Sequence, residues 1–430
     1  MYSPPAERPT RTRYVLVAWL CGLAGVLYLD RICMSQAVKP IRDQLELSNT
    51  QVSYVAMAFT LAYGLFEIPT GRLGDRIGAR AVLTRIVIWW SVFTMLTGAA
   101  FGFVSLLVIR FLFGAGEAGA YPNAARVISR WFPIGERGRV QGVMLTAAQL
   151  GAVTAPFLAA VLIEYAGWRW AFVVFGLVGI VWAAGFWLWF RDDPARHPRV
   201  NAAELAIIQA GAEAQPANVE PIPWRAVARS RGIWMLGLAM IASAFNAYFY
   251  YTWFPTYLQD ARGLSNLPAG RLSSLVLAGG AVGVLLGGIV ADRLHRGPIP
   301  TILARRIFGS GVYLVAAGCL AIGMSTDNPT MLAVFAALSC FVVHLTLPTW
   351  WSAAIEQSGR HVGALFGLMN TMGVVGALGS QWFVGALVDS RKDQGFTGRE
   401  QWDAIFPVYV GALFVGALAW GFYRGGVVRS

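Results

Sequence analysis

Four ionisable side chains sit in stretches that are otherwise almost uniformly apolar. Asp30 and Arg31 lie near the end of the first such stretch, Arg110 and Glu117 inside the fourth. A charge at bilayer depth is costly, so it turns to a bundle interior or a watery cavity, finds a partner and marks a working site. Arg31 stays protonated and offers a planar fork that fits a carboxylate. Tyr28, one turn earlier on the same helical face, can add a hydroxyl. The alternative is that Arg31 only neutralises Asp30. Arg110 and Glu117 are two helical turns apart, so they share a face about 10 Å apart along the axis. Each is then expected to meet a partner across the cavity. Burial disfavours the charged form of a carboxyl, so Glu117 either loads and releases a proton or serves as a fixed charge partner. Asp30 either takes a second proton, holding Arg31 while the site is empty, or acts as a permanent counter-ion.

The elements that must position these groups follow from composition. Of 430 residues, 57% are hydrophobic and 13% charged, about half the charge of an ordinary soluble chain. Apolar runs of about 20 residues, each long enough for a hydrocarbon core, recur throughout. The expected fold is an all-α membrane protein of twelve transmembrane helices. The first six fall at 14–35, 50–70, 81–102, 104–128, 140–163 and 169–190. The last six fall at 233–258, 272–294, 302–324, 330–356, 361–388 and 404–424. A net charge of +12 reflects Lys and Arg gathered on one side of these runs. That is the positive-inside pattern: it puts both termini in the cytoplasm and removes any need for a nucleic-acid partner. The four cysteines lie in or beside apolar runs without metal-ligand spacing.

A polar linker, 191–232, separates an N-terminal half, 1–190, from a C-terminal half, 233–430. Within it, Asn201 and Glu204 form the pattern of a capping box before Leu205, which predicts a short surface helix. The halves resemble each other: Gly71–Gly78 follows helix two, and Gly288–Arg293 ends helix eight. Such duplication marks transporters with a site between their halves. Rows of small residues (Gly114, Gly116 and Gly119; Gly279, Gly283 and Gly287; Gly373, Gly376 and Gly379) let helices approach closely. The first row also matches a dinucleotide fingerprint, but it falls mid-helix with no preceding strand, so no nucleotide site is expected.

Other polar groups at depth are less specific. Tyr63, Gln149, Asn246 and Asn370 are candidates either for substrate hydroxyls or for bonds between helices, with Asn370 the best placed. Tyr248, Tyr250, Tyr251 and Trp253 crowd helix seven, and only one or two of them can line a site. His344 is expected to pack or to bond between helices. Asp75, Arg76, Arg80, Asp292 and Arg293 lie at the cytoplasmic helix ends, where ion pairs can gate a conformational change. The alternative for them is topology alone. Glu67 and Glu356 are candidates for the same network.

Gly71-Arg72-Leu73-Gly74-Asp75-Arg76-Ile77-Gly78-Ala79-Arg80 resembles the loop signature of the major facilitator superfamily. Tyr28-Leu29-Asp30-Arg31, the run from Arg110 through Glu117 to Tyr121-Pro122, Trp131-Phe132-Pro133 and Glu136-Arg137-Gly138-Arg139 resemble its anion:cation symporter branch. The resemblance is dense in the first half and thin in the second. It implies a secondary transporter of the bacterial inner membrane. Such a carrier brings a small organic anion, a sugar acid such as a hexonate or hexuronate, into the cell by alternating access. The proton is its coupling ion, with no other cofactor; its partners are the anion and the lipid bilayer, and it acts as a monomer. The alternatives are a carrier or exchanger of aromatic or dicarboxylic acids, or a transceptor that binds without turnover. No nucleophile–base pair stands at membrane depth, so an enzyme is not expected.

Overall fold

The computed structural model describes residues 8–210, 224–358 and 362–426, and among these every regular element is helical. The first half contains α1 (Thr12–Gln44), α2 (Asn49–Ile77), α3 (Ala79–Gly98), α4 (Phe103–Glu117), α5 (Ala120–Trp131) and α6 (Ile134–Trp189). Two short helices, α7 (Ala202–Gln209) and α8 (Trp224–Arg229), belong to the linker. Then come α9 (Arg231–Thr252), α10 (Phe254–Asp260), α11 (Asn266–Arg296), α12 (Thr301–Ser325), α13 (Pro329–Leu345), α14 (Leu347–Ser358), α15 (Val362–Asp393), α16 (Gly398–Trp402) and α17 (Phe406–Gly421). Among the described residues, ten stretches are long and apolar enough to cross a membrane. One of them is the 56-residue α6, whose backbone leaves the helical region at Gly167. Reading α6 as two crossings and adding the 29-residue α2 gives twelve.

Several helix ends differ from the sequence reading. Helix one runs to Gln44 through Pro40, so Asp30 and Arg31 sit near its middle rather than at its end. The expected loop signature is mostly helix: α2 continues to Ile77, and a single residue, Gly78, turns the chain into α3. Gly78 has φ +86°, a backbone that side-chain-bearing residues rarely adopt. An added Cβ would also press on the Asp192 carboxylate. Helix four is two helices. It breaks at Ala118 and Gly119, where Gly119 is left-handed at φ +85°. Glu117 is therefore the last residue of α4, not a mid-helix residue.

The linker helix begins at Asn201, whose side chain accepts the Glu204 N–H at 2.9 Å. Glu204 does not close a capping box. Its fully buried carboxylate instead accepts the N–H groups of Thr12 and Arg13, both at 3.1 Å. It thus satisfies free N–H groups at the start of α1 and complements the positive end of that long helix. The first part of the linker is thereby fixed to the first half.

Within each half the helices approach closely. A Cβ at Gly279, Gly283 or Gly287 would run into the backbone of α13, in keeping with small-residue contacts in lipid. Between the halves, α2 packs on α15, α6 on α11, and α1 on α9 and α10. The polar bonds that join them cluster toward the face opposite the termini. Lys39 and Arg42 of α1 meet Asp260 at 2.7 and 2.6 Å. Asp389 of α15 accepts the N–H groups of Asn49 and Thr50 at 3.1 and 2.7 Å, along with both their side chains. The first turn of α2 is thus capped by a carboxylate from the other half. Ser53 donates to the Gln381 carbonyl at 2.8 Å, and Gln36 to the Asn266 carbonyl at 2.9 Å.

Candidate functional site

Beneath these bonds lies a cavity of about 210 Å³, smaller than the ~300–1,000 Å³ of sites for drug-sized ligands. Its first-half wall carries Tyr28, Arg31 and Ser35 from α1, Phe59 from α2 and Arg110 from α4. Its second-half wall carries Tyr248, Tyr251 and Thr252 from α9 and Gln381 from α15. Apolar side chains fill most of the remaining surface.

Arg31 is held from several sides. Its guanidinium lies 5.6, 5.2 and 4.9 Å from the ring centroids of Tyr28, Phe59 and Tyr63. Its Nε donates to Glu117 Oε1 at 3.0 Å, and its Nη2 donates to the same oxygen. Glu117 is fully buried and its Oε2 has no hydrogen-bond partner. The expectation that Arg110 and Glu117 look across the bundle is met for Glu117, whose partner is on α1.

Arg110 is different. It is 2% exposed, and its Nε and Nη1 have no partner. Its guanidinium rests on Phe113 and Phe59, 4.2 and 5.2 Å from their centroids. Cation–π contact of this kind offsets part of the lost hydration but leaves directional N–H groups unused.

Asp30 does not pair with Arg31. Consecutive helical residues point about 100° apart, and Asp30 turns behind the cavity wall toward Trp90 of α3. It is 1% exposed and neither oxygen has a hydrogen bond of good geometry. Glu117 and Arg110 are its electrostatic neighbours.

The weaker candidates scatter. Tyr63 stacks on Arg31 rather than lining the cavity. Gln149 is half-buried, Asn246 is buried in the second half, and Asn370 is exposed; none lines the cavity. Gln381, which does, lies about three turns beyond Asn370 on nearly the same face of α15. The face of helix eleven was readable, and the depth was not. Of the helix-seven aromatics, Tyr248 and Tyr251 face the cavity, while Tyr250 and Trp253 are buried in the core. His344 bonds the Cys340 carbonyl at 2.8 Å within its own helix.

At the termini face, Arg76, Asp292 and Arg293 are exposed and pair with no described residue. Arg80 bonds the Trp187 carbonyl, and its N–H meets Asp192 at 3.0 Å, both within its own half. Glu356 takes Arg305 bidentately, both bonds 2.6 Å, inside the second half. Glu67 is half-buried near α2's end. The side chain of Asp75 lies outside the described residues. Among the described residues, the expected ion-pair network across this face is not formed, and the polar bonds between the halves lie at the other end.

The far-face residues Lys39, Arg42, Asp260 and Asp389 were not anticipated. In the sequence they are ordinary charges at helix ends, and only the packing pairs them. Burial pushes the Asp260 carboxyl up, but Arg42 and Lys39 outweigh it and leave it below the usual carboxylate range.

Residues 20–381 match the Major Facilitator Superfamily. The chain belongs to that superfamily, in its anion:cation symporter-like branch. It is 33% identical to a probable sulfoacetate transporter of Cupriavidus necator, over 95% of this chain and 93% of the relative. It is 30% identical to a probable L-galactonate transporter of Escherichia coli, over 89% and 85%. To a hexuronate transporter of Bacillus subtilis it is 32% identical, over 82% and 84%. A crystal structure of a bacterial homolog to the human lysosomal transporter Spinster, inward-facing and unoccupied, superposes with TM-score 0.75 at 20% identity. That likeness covers 96% of this chain and 95% of the other. The protein is a multi-pass membrane transporter of organic anions and not an enzyme.

Proposed function

We propose that this transporter imports a small organic anion together with protons by alternating access. The observation that carries the reading is the Arg31–Glu117 pair: a cavity-lining cation held by a buried carboxylate. Proton and substrate then compete for one arginine. In the outward-open state, protons neutralise Glu117 and Asp30. That frees Arg31, and the anion takes its place beside Arg31 and Arg110. With the charges cancelled, the half 1–190 rocks against the half 233–430, and the linker 191–232 spans them. Inside, the protons leave, Glu117 recaptures Arg31, and the anion is expelled.

Arg8, Arg11, Arg13, Arg293 and Arg296 flank helices on the termini face. By the positive-inside rule that face is cytoplasmic, and the membrane is the bacterial inner membrane. The chain acts as a monomer with no cofactor besides the proton. The conformation described, joined at the far face, is then the inward-open one. Asp75, Arg76, Arg80, Asp292 and Arg293 make their closing contacts in the opposite conformation. Sugar acids, for which several relatives are named, and sulfoacetate, for which another is named, are the candidate cargoes.

The test is uptake of labelled galactonate, glucarate, glucuronate and sulfoacetate into liposomes holding the purified protein, with acid outside. We expect at least one acid to accumulate above its external concentration, and a protonophore to abolish the excess. Equilibration that ignores the pH gradient contradicts proton coupling.

A further inference from the structure

Arg31 and Arg110 open into one cavity, each guanidinium 5.2 Å from the centroid of the same ring, Phe59. They are therefore no more than about 10 Å apart, and a charge-assisted hydrogen bond at each end takes up about 3 Å of that span. Their states differ. Arg31 already has Glu117, whereas two N–H groups of Arg110 are buried and unused. Asp30 and Glu117 act on Arg110 as neighbouring charges only, and buried guanidinium N–H groups that find no acceptor are costly. An anion with one acid group leaves this problem half solved. On Arg110 it satisfies the free cation but leaves the Arg31–Glu117 pair intact, so no proton need move. On Arg31 it displaces Glu117 and leaves the Arg110 N–H groups without an acceptor. An anion with two acid groups does both at once. The rest of the wall is apolar (Ile32, Met34, Val38, Val52 and Ala56) or neutral and polar (Tyr28, Tyr248, Tyr251, Thr252 and Gln381), so the two guanidiniums are its cationic places for acid groups.

Resting on the organic-anion reading above, we infer that the cargo is a doubly charged acid on a short spacer. One acid group occupies Arg110 and the other replaces Glu117 on Arg31. Displacement of Glu117 then makes proton uptake obligatory, because a second anion cannot remain beside it in the same dry pocket.

The experiment is calorimetric titration of the purified full-length protein at neutral pH. Malonate, succinate and sulfoacetate are compared with acetate, butyrate and gluconate, and uptake into liposomes is measured for each. The expected result is that at least one two-headed acid binds about tenfold or more tighter than any one-headed acid. Butyrate matching succinate, or gluconate exceeding all the two-headed acids, overturns the inference and leaves anion transport standing. Binding and uptake of none of the six overturns the inference, and anion import falls with it only if galactonate, glucarate and glucuronate are refused as well. Arg110→Gln supplies a second reading: the preference for two heads should shrink toward unity, and a preference that survives the change contradicts the assignment. If that variant fails to fold, the wild-type series still decides.

Discussion

The two halves of this transporter furnish one cavity with different chemistry. The first half contributes every charge on or directly behind its wall: Asp30, Arg31, Arg110 and Glu117. The second contributes Tyr248, Tyr251, Thr252 and Gln381, none of them charged at neutral pH. The energetically demanding groups thus stay within one packed unit, where α1 and α4 hold their distances fixed. The neutral wall can move away and return without stranding an ion. In the proposed cycle, coupling then belongs to the first half, and recognition of the cargo's shape and neutral polar groups to the second.

The largest effect that sharpens this contrast is expected from Arg31→Ala. Removing one partner of a buried ion pair typically costs about 3–5 kcal/mol, and in the proposed cycle Arg31 also supplies the anion contact. Uptake in liposomes should fall at least about a hundredfold, and Arg31→Lys should not restore it, because a point charge lacks the planar fork.

Asp260→Asn should come next. It removes the negative charge that Lys39 and Arg42 share across the halves, so the far face should open several-fold more often, as read by spin-label distances between α1 and α10. The pH dependence of this latch follows from its depressed carboxyl. Asp260 stabilises closure fully above the ordinary Asp pKa of about 3.9, and the contribution is lost only as pH falls through its lower folded value. Far-face distances in a Glu117→Gln background should therefore stay constant between about pH 5 and 8. A latch that opens in that window would move proton sensing out of the pocket.

Gln381→Ala should have the smallest effect, shifting KM among acids by less than about tenfold while the pH gradient still drives accumulation. Loss of coupling in that variant would break the division of labour between the halves.

Much of this was legible before any coordinates. Charges in apolar runs announce themselves, because lipid tolerates few of them, and Asp30, Arg31, Arg110 and Glu117 stood out that way, with Tyr28 following from its place one turn before Arg31. Pairing was not legible. Neighbours in sequence suggested Asp30 with Arg31, but the turn of the helix separates them and gives Arg31 to Glu117. The break after Glu117 was hidden because Gly114, Gly116 and Gly119 read equally well as a packing row, and only a positive φ singles out Gly119. Gln381 was missed for a similar reason: Asn370 shares its helix face, and periodicity carries no information about depth. The latch at Asp260 and Asp389 depends on contacts between residues more than two hundred positions apart, which a single sequence does not encode visibly.

The most direct measurement is transport by Glu117→Gln in liposomes, with counterflow exchange and gradient-driven accumulation read side by side. A neutral amide leaves Arg31 open to the anion but cannot carry a proton. Exchange should persist while accumulation against a concentration gradient disappears. Accumulation at the wild-type level in that variant would contradict the coupling role of the Arg31–Glu117 pair.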